Sequence, residues 1–148
     1  MLGRTYDNQV CSVSRTLEVI GERWSLLIVR DALLGKRRFD EFSQSLGLAR
    51  NILSDRLSKL VDSGILQRVE YQERPVRSEY VLTDRGRDLR EVVLAMMEWG
   101  DRHAPNPAGP PRLIQHKDCG SAVSTGYRCA TCGPIEHARV TTAPGPGV

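Results

Sequence analysis

The apolar period of this chain changes twice, and that double change constrains the fold more than any other feature. From Val10 to Val61 apolar side chains recur at spacings of three and four, the mark of helices with one buried face. From Ile65 to Leu82, β-branched and aromatic residues alternate with polar ones, as they do in strands. The helical spacing then returns through Leu89, Val92, Val93, Met96 and Trp99. A chain written this way is mainly α-helical with one small β-hairpin near its middle.

Glycines divide the first helical region. Val10, Val13, Leu17 and Ile20 share one face of a first helix, which Gly21 ends. A second helix, about Arg23 to Leu34, is apolar round much of its circumference (Trp24, Leu26, Leu27, Ile28, Val29, Ala32, Leu33) and belongs at the centre of a small core. After the triplet Lys36-Arg37-Arg38 comes a short helix from Phe39 to about Ser45, then a turn at Gly47. A fourth helix, about Arg50 to Ser63, turns Leu53, Leu57, Leu60 and Val61 inward, with Gly64 as its C-terminal cap. Strands are expected at Ile65 to Tyr71 and Ser78 to Leu82, with residues 72–77 as a polar hairpin tip. Thr83 is placed to N-cap a helix reaching about His103, with Asp84 and Asp88 in its early turns. This order is the winged helix-turn-helix plan.

Residues 1–10 then form an N-terminal arm and 11–103 the domain, while the Pro/Gly-rich stretch 104–111 is a linker. A Cys-rich appendage at 112–140 follows, and the ending TTAPGPGV, 141–148, is expected to be disordered. The 148 residues suffice for one domain and an appendage, and 40% apolar with 26% charged residues describes an ordinary globular protein. Apolar runs such as Leu26 to Val29 are far too short to cross a bilayer, and MLGRTYDNQ has no apolar signal region, so a cytoplasmic protein with no membrane contact is expected. Enzymatic chemistry is not expected. There is no Ser/His/Asp arrangement and no Gly-rich phosphate loop, and the three histidines all lie at or beyond position 103.

Charge distribution points to a partner. Residues 36–77 carry nine Lys/Arg against six Asp/Glu, which accounts for the whole net charge of +3. The outer face of the 50–63 helix offers Arg50, Asn51, Ser54 and Ser58, side chains able to hydrogen-bond base edges in a major groove. Arg56 and Lys59 are expected to reach the DNA backbone, with Asp55 as an internal brace for Arg56 or Arg50. Arg74 and Arg77 flank Pro75 at the hairpin tip and suit phosphate contacts or minor-groove entry. Lys36, Arg37 and Arg38 are placed to grip the backbone on the other flank. The expected partner is double-stranded DNA, and the competing reading is an adaptor that uses the same domain for protein contacts.

The tail reads His116-x2-Cys119, nine residues, then Cys129-x2-Cys132, with Gly120 and Gly133 after the two pairs. Two such pairs resemble the knuckles of a zinc ribbon with one cysteine replaced by histidine, and four N/S ligands suit a closed structural Zn²⁺ site. His137 competes with His116 as the fourth ligand. No cofactor beyond this structural ion is expected.

The segments CSVSRTLEVIGERWSLLIVRDALLGKRRFDEF, LSDRLSKLVDSGIL and YQERPVRSEYVLTDRGRDL resemble the HxlR-type winged helix family of bacterial transcription regulators, over Cys11 to His103. The resemblance implies a dimeric repressor or activator on a short palindromic operator, with 50–63 as recognition helix and 66–80 as wing. It also implies pairing through the first and last helices, here through Val10, Val13 and Leu17 and through Leu89, Val92, Val93, Met96 and Trp99. The alternative is that these stripes belong to the monomer core. Cys11 falls where members of this family carry a redox-responsive cysteine. A thiolate there would be stabilised by the helix N-terminus and by Arg15, whereas the other reading is a small buried apolar residue. An oxidant or small-molecule effector is expected, and nothing in the residues names it.

Overall fold

The computed structural model describes residues 5–146. The elements are α1 Ser12–Ile20, α2 Ser25–Leu33, α3 Phe39–Leu46, α4 Arg50–Asp62, the strands β1 Leu66–Glu73 and β2 Val76–Leu82, and α5 Asp84–His103. Two short strands, β3 Tyr127–Cys129 and β4 Gly133–Ile135, and a 3-10 turn at His137–Arg139 complete the chain. The winged helix-turn-helix order of helices and hairpin is therefore the observed one.

The buried centre is made by Ile28 and Val29 of α2, Phe42 of α3, and Leu53, Leu57 and Leu60 of α4, closed below by Ile65, Leu66 and Leu82. Packing of α4 against α2, α3 and β1 follows from this list. Each of those leucines contributes about 1.5–3 kcal/mol by leaving water, so the roll of α4 about its own axis is set by its apolar stripe. Gly47, with φ 63°, supplies the left-handed residue that ends α3 and turns the chain into α4.

The hairpin is longer and its turn tighter than the sequence predicts. Strand pairing runs from Leu66↔Leu82 out to Glu73↔Val76, with an irregularity at Tyr71. Only Arg74 and Pro75, joined by a cis peptide bond, make the turn. Apart from the half-buried Gln72, the residues read as a polar tip stay exposed in the ribbon, so their polarity is no obstacle to strand pairing. Arg77 is consequently a strand residue opposite Gln72.

Thr83 caps α5 as its sequence position predicts. Its Oγ1 accepts the Gly86 N–H at 3.1 Å and donates to the Gly64 carbonyl at 2.6 Å, while its N–H reaches the Ile65 carbonyl at 3.1 Å. One turn later Gly86 lies so close to the chain entering β1 that a Cβ there would stand 2.1 Å from the Ile65 oxygen and 2.8 Å from Leu82 Cδ2. Side-chain absence, and not backbone freedom, is what this position requires.

Residues up to Arg90 form one unit and those from Glu91 onward a second. The division falls inside α5 and not at the 104–111 linker, because the end of α5 makes its contacts with the tail. The Glu98 carboxylate accepts the Thr125 N–H at 2.6 Å and also the Thr125 hydroxyl. In the second unit a cleft is lined by Trp99 and His103 of α5 and by Tyr127 and Ile135 of the β3–β4 hairpin. Residues 141–146 have no regular secondary structure, and the rest of the expected tail lies outside the described residues. No helix among the described residues is long and apolar enough to cross a membrane.

Gly86→Ala is expected to lower unfolding stability by about 1–3 kcal/mol through overpacking, read by urea denaturation with an unchanged slope. Unaltered stability would mean that α5 is not seated against the Ile65 carbonyl.

Candidate nucleic-acid interface

Burial of Leu53, Leu57 and Leu60 turns the opposite side of α4 outward, and Arg50, Asn51, Ser54, Ser58 and Lys59 are all exposed there. Arg50, Ser54 and Ser58 are spaced by four and so lie along one edge. Ile52 is also 40% exposed, an apolar side chain on an otherwise polar helix face. The sequence reading passed it over, because an isoleucine in a helical stretch reads as core by default. Its neighbours at 53 and 57 already fill the inward stripe, and that was the available signal.

Beside the N-terminus of α4, a cleft of about 600 Å³ lies between α3 and the hairpin. Arg38 just before α3, Arg50 of α4 and Arg77 of β2 line it together with Phe39, Asp40, Glu41, Gln44 and Tyr71. Three of the arginines chosen from the sequence thus converge on one groove flanking the polar edge of α4. Arg74 sits exposed at the hairpin turn, where Gln72 Nε2 donates to its carbonyl at 3.0 Å.

The arginines differ in how firmly they are held. Arg50 rests over the Phe39 ring at 4.7 Å and touches Asp40 at 3.2 Å, with both ion-pair partners largely exposed. An exposed pair of this kind contributes under about 1 kcal/mol, so Arg50 is free to exchange it for a base or a phosphate. Arg38 lies 3.4 Å from Glu79 and 5.1 Å from the Tyr71 ring, which ties the start of α3 to the hairpin. Glu41 fixes the same corner by accepting the amide N–H groups of Arg37 and Arg38 at 2.8 and 2.9 Å, and those two bonds hold its carboxyl below the usual range.

Two basic residues depart from the expected arrangement. Arg37 does not join Arg38 in gripping one flank. The backbone at Arg38 is extended, so successive side chains point to opposite sides, and Arg37 lines a different cleft with Lys36, Arg87 and Arg90. Arg56, expected to reach DNA, is only 19% exposed and pairs inward with Glu22 at 2.9 Å and Asp55 at 3.2 Å. Asp55 therefore braces Arg56, and also Lys59 at 3.2 Å, but not Arg50. Lys59 is half exposed and keeps an outward path. The reason is the register of α4: position 56 lies next to the buried Leu53, Leu57 and Leu60 stripe, on the side facing Glu22.

The apolar stripes read as pairing surfaces divide between the two units. In the first, Val10 and Val13 are 70% and 65% exposed and Leu17 is also exposed, whereas Ile20 is buried. Val10 precedes α1, and Ser14 takes a buried place in the helix, donating to the Cys11 carbonyl at 2.7 Å. Leu89 is half-buried and lines a small cleft with Val19, Ile20 and Ile65. In the second unit Val92, Met96 and Trp99 are exposed and Val93 half-buried. Cys11 is exposed at the N-terminal end of α1, against the reading of a buried apolar residue. The amides of Ser14 and Val13 lower its thiol below the ordinary value, with a smaller contribution from Arg15.

The Cys/His appendage forms as two separate pairs. His116 Nδ1 lies 3.1 Å from Cys119 Sγ. The Ser121 hydroxyl and amide, followed by His116, lower the Cys119 thiol to about 7. Cys129 and Cys132 bracket the β3–β4 turn. His137 sits in the 3-10 turn lining the Trp99 cleft, so His116 and not His137 is the histidine beside a cysteine. Among the described residues no three His, Cys, Asp or Glu side chains are gathered as a bound ion would need.

Comparison with known proteins gives a consistent result. The HxlR-like helix-turn-helix family model matches residues 19–107. An HTH-type transcriptional regulator of Mycobacterium bovis, Mb3122, is 47% identical over 137 residues, covering 92% of this chain and 87% of that protein. The crystal structure of PA1607 superposes with a TM-score of 0.81 at 38% identity, covering 92% of this chain and 96% of that one. The reduced form of the redox regulator HypR superposes with a TM-score of 0.59 at 36% identity, covering 64% of this chain and 96% of HypR.

Arg56→Ala is expected to lower the melting temperature while leaving the salt dependence of DNA binding unchanged, since Arg56 neutralises Glu22 and Asp55 and not a phosphate. A flattened salt slope with unaltered melting would return Arg56 to the DNA-facing set.

Proposed function

Because the chain belongs to the HxlR-like helix-turn-helix family and is a transcriptional regulator with a helix-turn-helix DNA-binding domain, we propose that it acts as a homodimeric repressor on a palindromic operator, with α4 in the major groove and the β1–β2 hairpin on the adjoining backbone. The observation that carries this reading is the convergence of Arg38, Arg50 and Arg77 on one groove beside the polar edge of α4. In that arrangement Arg50, Asn51, Ser54 and Ser58 read base edges, and Ile52 meets a thymine methyl group. Lys59, Arg74 and Arg77 neutralise phosphates.

Pairing of two copies is supported by the exposed Val10, Val13 and Leu17 in one unit and Val92, Met96 and Trp99 in the other. Exposed apolar positions recurring along a helix are where a second copy would pack. A two-fold dimer presents its two reading helices to half-sites about one helical turn apart, which is why the operator is palindromic. Occupying such a site blocks access to a promoter, and this is the repressor action proposed for the chain in the cytoplasm.

Regulation is assigned to Cys11, on the strength of its exposure at the α1 N-terminus, its lowered thiol and the likeness to HypR. A two-electron oxidant such as diamide, itself reduced to the hydrazine by taking up both thiol protons, joins the Cys11 thiol to a second thiol as a disulfide, which alters the α1 surface on which pairing rests. Titration of operator binding with diamide or a quinone should affect the native protein and spare Cys11→Ser, and equal responses would remove Cys11 from the account.

For the DNA interface, gel shifts with the chain's own promoter region supply the test. Arg50→Ala should weaken specific binding and blunt base discrimination by about 1–3 kcal/mol. Arg74→Ala should weaken all duplexes alike and flatten the salt slope by about one unit. The reverse pattern would exchange their roles, and a protein indifferent to that region at low salt would overturn the reading.

A further inference from the structure

The sequence feature that DNA binding leaves unused is the pair of Cys/His turns in the second unit. They are built alike. In the first, the chain doubles back from His116 to Ser121, with the His116 N–H on the Ser121 carbonyl and the Gly120 N–H on the His116 carbonyl, both at 2.8 Å. In the second, Cys129 pairs with Gly133 at the β3–β4 turn. Each turn is closed by a left-handed glycine directly after its last cysteine, Gly120 at φ 72° and Gly133 at φ 80°. A glycine there lets the chain reverse at positive φ with no Cβ penalty.

The details go beyond a shared turn. Cys129, at the end of β3 directly before the turn, is half-buried, while Cys132 is exposed. Cys119 Sγ has the Ser121 hydroxyl at 3.3 Å and His116 Nδ1 at 3.1 Å. The other ring nitrogen, Nε2, faces Asp118 Oδ2 at 3.5 Å. A histidine with one nitrogen beside a sulfur and the other toward a carboxylate is arranged as a metal ligand with its supporting anion. Across nearly all of this the side chains are exposed, so core packing does not account for them.

We propose that the two turns are half-sites of one structural zinc site, joined only when the ion binds, with His116 Nδ1, Cys119, Cys129 and Cys132 as ligands. The separation of the pairs then has a meaning: the ion is the cross-link that fixes the 115–122 turn against the β3–β4 hairpin, and ion binding is coupled to ordering of this appendage. Three thiols lose their protons to solvent on binding, and the neutral imidazole contributes no charge, so the closed site carries a single net negative charge. Four protein ligands leave no open position, which makes the ion a brace and not a catalyst.

Cobalt(II) titration of the full-length, reduced, chelator-stripped protein tests this without any DNA readout. One cobalt per chain is expected, with the intense visible bands of a tetrahedral site and the near-ultraviolet band of thiolate-to-metal charge transfer, both erased by zinc. Protease cleavage between residues 112 and 140 should slow in step with binding. Cys119→Ser and Cys132→Ser should each weaken cobalt binding at least about tenfold, and Asp118→Asn, an exposed change that leaves every ligand in place, by about tenfold. His137→Ala should have no effect. No saturable tetrahedral spectrum, or a spectrum that depends on Cys129 and Cys132 but ignores Cys119 and His116, would overturn the joined site. Either result leaves the reading of α4 and the β1–β2 hairpin as the DNA-facing surface untouched, since those elements all precede Arg90.

Discussion

The orientation of α4 decides which side chains its outer edge presents, and three leucines set it. Leu53, Leu57 and Leu60 are essentially inaccessible against Ile28, Val29 and Phe42. Truncating any one of them to alanine would cost about 2–5 kcal/mol. The surface pairs that the same helix makes, such as Arg50 with Asp40 of α3, are each worth well under that. The apolar side therefore dictates the roll of the helix, and the polar edge follows passively. A surface made this way has its backbone fixed by the core, while its side chains are held only by weak exposed pairs.

Around that helix the rest of the first unit works as alignment. Gly47 and the Glu41 carboxylate set the turn and the entry to α3, while the contact of Arg38 with Glu79 and Tyr71 joins the helix-turn-helix to the hairpin. Thr83 and Gly86 bring α5 down onto the chain between α4 and β1. None of these groups need touch DNA. They hold Arg38, Arg50 and Arg77 in one groove although the three come from well-separated parts of the chain.

Most of this was legible in the sequence, because helices and strands differ in period and the glycines stand at the breaks. The leucine stripe of α4 and the Thr83 cap were readable one residue at a time. What escaped were matters of direction and distance. Arg37 and Arg38 are adjacent in sequence but part company because the backbone between them is extended. Arg56 has the composition of a phosphate contact, yet Glu22, more than thirty residues earlier, claims it. Hairpin length was underestimated because polarity was read as a turn signal in a ribbon that is wet on both faces. Gly86 gave no sign of its tight contact, since its neighbour there is a backbone oxygen that no residue type announces. The division of the chain inside α5 was equally hidden, resting on Glu98 and Thr125 rather than on the proline-rich stretch after it.

The central claim is that the edge of α4 carrying Arg50, Ser54 and Ser58 lies against base pairs. The most direct measurement places a photoreactive group on a cysteine substituted at Ser54, in a protein whose four native cysteines are replaced by serine, and maps its cross-links on a bound promoter duplex. The account predicts cross-links to bases reached from the major groove, at two positions related by the operator's symmetry, and none from the same group placed at Asp62 at the far end of α4. Cross-links confined to protein, or mapping equally from both positions, would contradict it.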